Sequence, residues 1–128
     1  MLAQDLKPPP VYVTEADYER LSNLAGLGRT LGAELLGREL DRAIVVRPEE
    51  APQRFVRLGS AVTYRELTSG EARRVTLVCP DQADIDAGRL SVLSPVGAAL
   101  LGLCAGAAFS WSGADGRPRV VEIEAVEV

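Results

Sequence analysis

The densest apolar stretch of the chain is LSVLSPVGAALLGLCAG, from Leu90 to Gly106. Leu90-Ser91-Val92-Leu93 is a short strand-like run. Ser94-Pro95 has the chemistry of a helix start, a side-chain oxygen at the N-cap followed by proline at the first helical position. Val96, Ala99, Leu100, Leu103 and Cys104 then recur at i, i+3, i+4, i+7 and i+8, which is one apolar face of a helix. The pattern predicts a strand, a capped corner and a short buried helix. Leu101 falls roughly opposite the centre of the stripe, so its burial needs cover from the N-terminal helices or from a bound protein.

The N-terminal third has helical periodicity. Met1 to Pro10 ends in Lys7-Pro8-Pro9-Pro10, which favours an extended arm, and Val11-Tyr12-Val13 fits a short strand. Thr14 can cap a helix, with Asp17 at the capping-box position. Tyr18, Leu21, Leu24 and Ala25 share one side, and Gly26 and Gly28 supply a left-handed stop. Thr30 can cap a second helix running to about Val46, ahead of Pro48. Ala33, Leu36, Leu40, Ala43 and Ile44 line one flank of it, and Glu34, Arg38, Asp41 and Arg42 line the solvated flank. Two such helices joined by a glycine turn predict an antiparallel hairpin. Leu31 and Leu35 fall off the shared face, which suggests an extra contact such as a homodimer.

Beyond the polar stretch Arg47 to Gln53, the period changes to two. Val62–Leu67 and Arg73–Cys79 read as strands around a turn at Thr68–Glu71, and Pro80 stops the second. Asp81 to Gly88 is an acidic loop. Phe109 and Trp111 share a face, Asp115-Gly116 marks a turn, and Val121, Ile123 and Ala125 alternate with Glu122 and Glu124. Hairpins of this kind build an antiparallel sheet with one wet face, and the helix beginning at Ser94 is available to cover the other. The expected class is α+β: a short N-terminal antiparallel helical hairpin, then an antiparallel sheet with one helix packed across it. The expected units are an arm at 1–10, the hairpin at 11–47, a linker at 48–54 and the sheet domain at 55–128.

Composition narrows the chemistry. The 128 residues carry a net charge of −4 and no histidine. This removes histidine-based acid–base catalysis, and it offers no basic surface for sequence-specific DNA binding. Cys79 and Cys104 each sit in an apolar run without CxxC spacing and read as buried free thiols. No apolar run reaches a membrane span and the N-terminus does not resemble a signal peptide, so the expected location is cytoplasmic. The carboxylate groups Glu49-Glu50, Asp81/Asp84/Asp86 and Glu122/Glu124/Glu127 fall in a linker, a loop and a strand face. None has the pattern of a metal loop or a catalytic pair. No phosphate-binding loop is present. The residues predict no cofactor, no metal and no enzyme.

Four stretches together resemble the bacterial Rnk family, regulators of nucleoside diphosphate kinase related to the Gre transcript-cleavage factors. They are AELLGRELDRA (Ala33–Ala43), RLGSAVTYRELTSGE (Arg57–Glu71), RVTLVCP (Arg74–Pro80) and LSVLSPVGAALLGL (Leu90–Leu103). DQADI (Asp81–Ile85) is similar to the acidic loop of Gre C-terminal domains. The resemblance implies an FKBP-like C-terminal domain that docks on the secondary-channel rim of bacterial RNA polymerase and competes with Gre factors. It implies docking through Asp81, Asp84, Ser94, Pro95 and Val96. The alternative it implies is regulation of nucleoside diphosphate kinase through protein contact. In Gre factors, acidic residues at a coiled-coil tip hold a catalytic magnesium. The expected tip here, Asn23 to Thr30, has no Asp or Glu, and arms of about 13 and 17 residues reach only about 20–25 Å. Transcript cleavage is therefore not expected. With six aromatics in the chain, an aromatic-lined prolyl isomerase pocket is not expected either.

Overall fold

The computed structural model describes residues 8–113 and 115–127. Most of the expected N-terminal arm lies outside the described residues. The elements run β1 (Tyr12–Val13), α1 (Glu15–Leu27), α2 (Leu31–Asp41), β2 (Ile44–Val45), β3 (Ala61–Glu66), β4 (Ala72–Val78), β5 (Arg89–Ser91), α3 (Pro95–Leu100), β6 (Ala108–Ser112) and β7 (Pro118–Glu127). The class is α+β, as the periodicities predict.

All three helix starts fall where side-chain chemistry places them. Thr14 Oγ1 accepts from the Asp17 N–H at 3.2 Å, Thr30 Oγ1 from Ala33 at 3.2 Å, and Ser94 Oγ from Gly97 at 3.0 Å. Each satisfies one backbone donor that the first helical turn leaves open. The helix ends are less local. Gly28 closes α1 with φ −104°, outside the left-handed region. Glycine is needed there because an added Cβ would lie 2.7 Å from the Ala33 Cβ.

The expected second helix is cut short at Asp41. The N–H groups of Ile44 and Val46 donate to the carbonyls of Val11 and Val13 at 2.7 and 2.9 Å instead of closing helical turns. Residues 44–45 thus form β2, which pairs in parallel with β1. Ile44, expected on the buried flank, is 46% exposed. Leu35, whose position suggested a second copy, is buried in the chain's own core. Arg42, expected on the solvated flank, folds back onto Glu39.

The main sheet has the order β5-β4-β3-β7-β6. It is mixed rather than wholly antiparallel, because β5 pairs with β4 in parallel after a loop of two short 3₁₀ turns. Val62, Tyr64, Val75, Leu77, Phe109, Trp111, Val121 and Ile123 form its buried face. The alternation in β7 breaks once. Thr63 pairs with Ala125 and Tyr64 with Ile123, which leaves Glu124 as an extra residue. This bulge turns Val126 inward and leaves the expected Ala125 exposed.

α3 spans six residues and stops before Leu103 and Cys104. Gly102, at φ +77°, turns the chain away, and residues 102–104 pair with Phe55 and Val56 instead. Leu101 is nonetheless buried, and α2 packs directly against α3. The burial of α2 runs along its length, through Gly32, Ala33, Leu35, Leu36, Glu39 and Leu40. One hydrophobic core therefore joins residues of α1 and α2 to those of the sheet.

Candidate docking surface

The corner at Ser94 is built by its neighbours in sequence. Ser94 Oγ donates to the Ser91 carbonyl at 2.7 Å while accepting from the Gly97 N–H. Ser91 Oγ in turn accepts from the Leu93 N–H at 3.0 Å. Pro95 opens the helix, where its missing N–H costs nothing. Ser94, Pro95 and Val96 are half-buried, so the corner offers a small rigid surface without a titratable group. Its inner side is closed by α2. A Cβ on Gly32 would collide with the carbonyl of Leu93, lying 2.7 Å from its carbon and 2.9 Å from that of Ser94.

The acidic loop is held at one point. Asp84 and Arg89 exchange backbone hydrogen bonds at 2.9 Å, and the Asp84 carboxylate lies 3.4 Å from the Arg89 guanidinium. Arg89 Nε also donates to the Gln82 carbonyl at 3.0 Å. Asp81 and Asp84 are exposed, as is Ile85, an apolar side chain 67% exposed in the loop. Loop and corner do not bond to each other. They flank the same strand, β5, which is an edge of the sheet. The five residues singled out from the sequence therefore lie around one edge strand, with Asp84 paired at its Arg89 end and the corner just past its Ser91 end. Ile85 was missed, although an isoleucine within an acidic loop is itself a signal.

Among the described residues, no three His, Cys, Asp or Glu side chains gather as a metal site. No described helix is long and apolar enough to cross a membrane. Cys79 and Cys104 are free and only half-buried, and burial pushes the Cys104 thiol pKa upward. Burial also raises the Tyr64 phenol pKa, against the opposing pull of Arg73. A cavity of about 630 Å³ opens beside the linker, between Pro48, Glu49, Arg54, Phe55, Arg57 and Leu58. Its lining carries both signs of charge.

Residues 9–46 match the family model of the Rnk N-terminus, and residues 51–128 match that of the C-terminal region of the transcription elongation factors GreA/GreB. A regulator of nucleoside diphosphate kinase from Escherichia coli strain K12 is 41% identical over 106 residues, covering 80% of this chain and 78% of the relative. The chain belongs to the Rnk family. A transcription elongation factor GreA from Nitratidesulfovibrio vulgaris strain Miyazaki F is 55% identical over 47 residues, 37% of this chain and 29% of that protein. Among solved structures, a prokaryotic transcription elongation factor GreA/GreB from Nitrosomonas europaea matches with a TM-score of 0.72 and 38% identity. The match covers 94% of this chain and 99% of that one. Gfh1 of Thermus thermophilus matches in fold, with a TM-score of 0.50 at 24% identity over 94% of this chain and 100% of that chain. The Rnk and Gre matches divide the chain between β2 and β3, in the segment that the sequence marks as a linker.

Proposed function

We propose that this chain is a regulator that docks on bacterial RNA polymerase at the secondary-channel rim and competes there with Gre-type factors without cleaving transcripts. The observation that carries the reading is the edge of the sheet at β5. It carries the Asp81–Ile85 loop alongside it and the Ser94–Val96 corner just past its end, within a domain that matches the GreA/GreB C-terminal region. In this reading 55–128 is an FKBP-like docking domain, 11–47 an antiparallel helical pair and 48–54 their linker. The protein acts in the cytoplasm by binding, in keeping with relatives named as a regulator and as transcription factors. The absence of carboxylates from Asn23 to Thr30 supports a factor that brings no metal to the transcript.

The test is capture of bacterial RNA polymerase by the purified chain, followed by displacement with a Gre factor. Competitive displacement supports the reading, and simultaneous binding overturns it. Ser94→Ala and Pro95→Ala, assayed separately, are expected to weaken capture. A loss of melting temperature with unchanged capture would reduce the corner to helix capping. Cleavage of RNA in backtracked polymerase complexes would contradict the absence of a metal-bearing tip. A second reading, contact with nucleoside diphosphate kinase, is favoured by the name of the 41% identical relative. Kinase activity that responds to this chain in a polymerase-free assay would establish it.

A further inference from the structure

The turn between α1 and α2 lies beside the docking corner. Gly32 is the second residue of α2 and stands just past that turn, yet it rests on the backbone of Leu93 and Ser94. Only a residue without a Cβ permits this approach, since the group in its way is a backbone carbonyl that no rotamer change can move. The other end of α2 is fixed as well. Arg42 donates from Nε to Glu39 at 2.8 Å and from its terminal nitrogen to the Pro9 carbonyl at 2.6 Å, with its guanidinium 5.8 Å from the centre of the Phe109 ring. β1 supplies a third attachment, where the Tyr12 N–H donates to the Gly102 carbonyl at 2.9 Å. One such contact would allow a swivel and two a hinge. Three, at both ends of α2 and on β1, with a buried face along α2 between them, hold the helical pair against the domain. The pair is not a projecting arm.

Leu27 ends α1 at this turn and is 84% exposed, the most exposed of the large apolar side chains among the described residues. Arg29 beside it is also exposed. We propose that the α1–α2 turn and the Ser94 corner form one continuous docking face for the polymerase, with Leu27 as its apolar contact and Gly32 as the positioning residue that holds the two parts together. The choice of occupant rests on the docking function proposed above; the juxtaposition does not. A partner on this face meets Pro95, Val96 and Leu27 at once, so the helical pair contributes by widening the contact rather than by reaching into a channel.

The juxtaposition is tested on the free protein. A nitroxide is placed by Arg29→Cys in a chain carrying Cys79→Ser and Cys104→Ala, and the amide signals of Leu93, Ser94 and Val96 are followed by NMR. They should broaden, and should recover when ascorbate reduces the label. Full intensity at these amides would overturn the proposal. The contact is then tested with RNA polymerase and Leu27→Asp. The exposed side chain should leave the melting temperature unchanged while binding weakens about tenfold. Unchanged affinity would remove Leu27 from the face. Gly32→Ala is compared with Gly37→Ala, whose added Cβ meets nothing within 4 Å. Only the first should diminish the broadening at the corner, and equal behaviour of the two would remove Gly32's positioning role. If the unaltered chain fails to bind polymerase, the docking function falls while the NMR result stands on its own.

Discussion

The outer face of the main sheet and the seam beneath α2 are held by charged groups in opposite surroundings. Outside, Arg65 pairs with Glu124 at 3.1 Å, and Arg74 pairs with Glu127. These pairs are wholly or partly exposed, and each gains little because water and salt screen it. In the seam a single pair, Glu39–Arg42, sits at the end of a helix whose inner face is buried; Glu39 is only 7% exposed. The outer face has more ion pairs, but removal of one partner is felt more in the seam. A buried carboxylate deprived of its cation has no water to replace it.

The largest effect should come from the apolar part of the seam. Leu36 on α2 is fully buried in the core that joins the helices to the sheet. Leu36→Ala should reduce unfolding free energy by about 3 kcal/mol. Urea denaturation followed by helical circular dichroism and by Trp111 fluorescence should show both transitions moving together with an unchanged slope. A shift in the helical signal alone would mean that the two regions unfold independently, and the comparison would no longer describe one cooperative unit.

Arg42→Ala is the next test. It leaves Glu39 without its cation, removes the bond to the Pro9 carbonyl and uncovers Phe109. Because the Arg42 side chain is 31% exposed, the expected loss is about 2 kcal/mol rather than the full figure for a buried pair. Adding Glu39→Gln should restore part of it, since the stranded charge is then gone. No restoration would mean that packing over Phe109, not charge, accounts for the loss.

The same contrast separates what was legible in the sequence from what was not. Caps at Thr14, Thr30 and Ser94 act within three residues, and their chemistry is readable one helix start at a time. The alternation of β3, β4 and most of β7 is equally local. The end of α2 was not legible, because Ala43 and Ile44 suit a helix and yield only to the carbonyls of Val11 and Val13, some thirty residues earlier. The bulge at Glu124 and the parallel pairing of β5 also depend on distant partners. For the docking surface, the segments Asp81–Asp84 and Ser94–Val96 stood out by composition. Their placement around one edge strand, and the approach of Gly32 to Leu93, exist only in three dimensions.

The smallest effect is expected on the outer face, and it is the one that sharpens the comparison most. Glu124→Gln removes the charge facing Arg65 while leaving the 2.6 Å bond from Arg65 to the Gly70 carbonyl in place. The side chains of this pair are 41% and 35% exposed. Their mutual attraction is therefore discounted heavily, and the expected loss is about 0.5 kcal/mol. That loss should shrink further as salt is raised, since an exposed pair is screened within about 10 Å at 0.1 M. Glu124 is also the extra residue of the bulge, and glutamine is close in size, so the backbone there has no reason to move. A loss above about 1 kcal/mol that persists in high salt would place the pair in the same class as Glu39–Arg42. Exposure would then not be what distinguishes the two regions, and the pairs across β3, β4 and β7 would have to act as a unit.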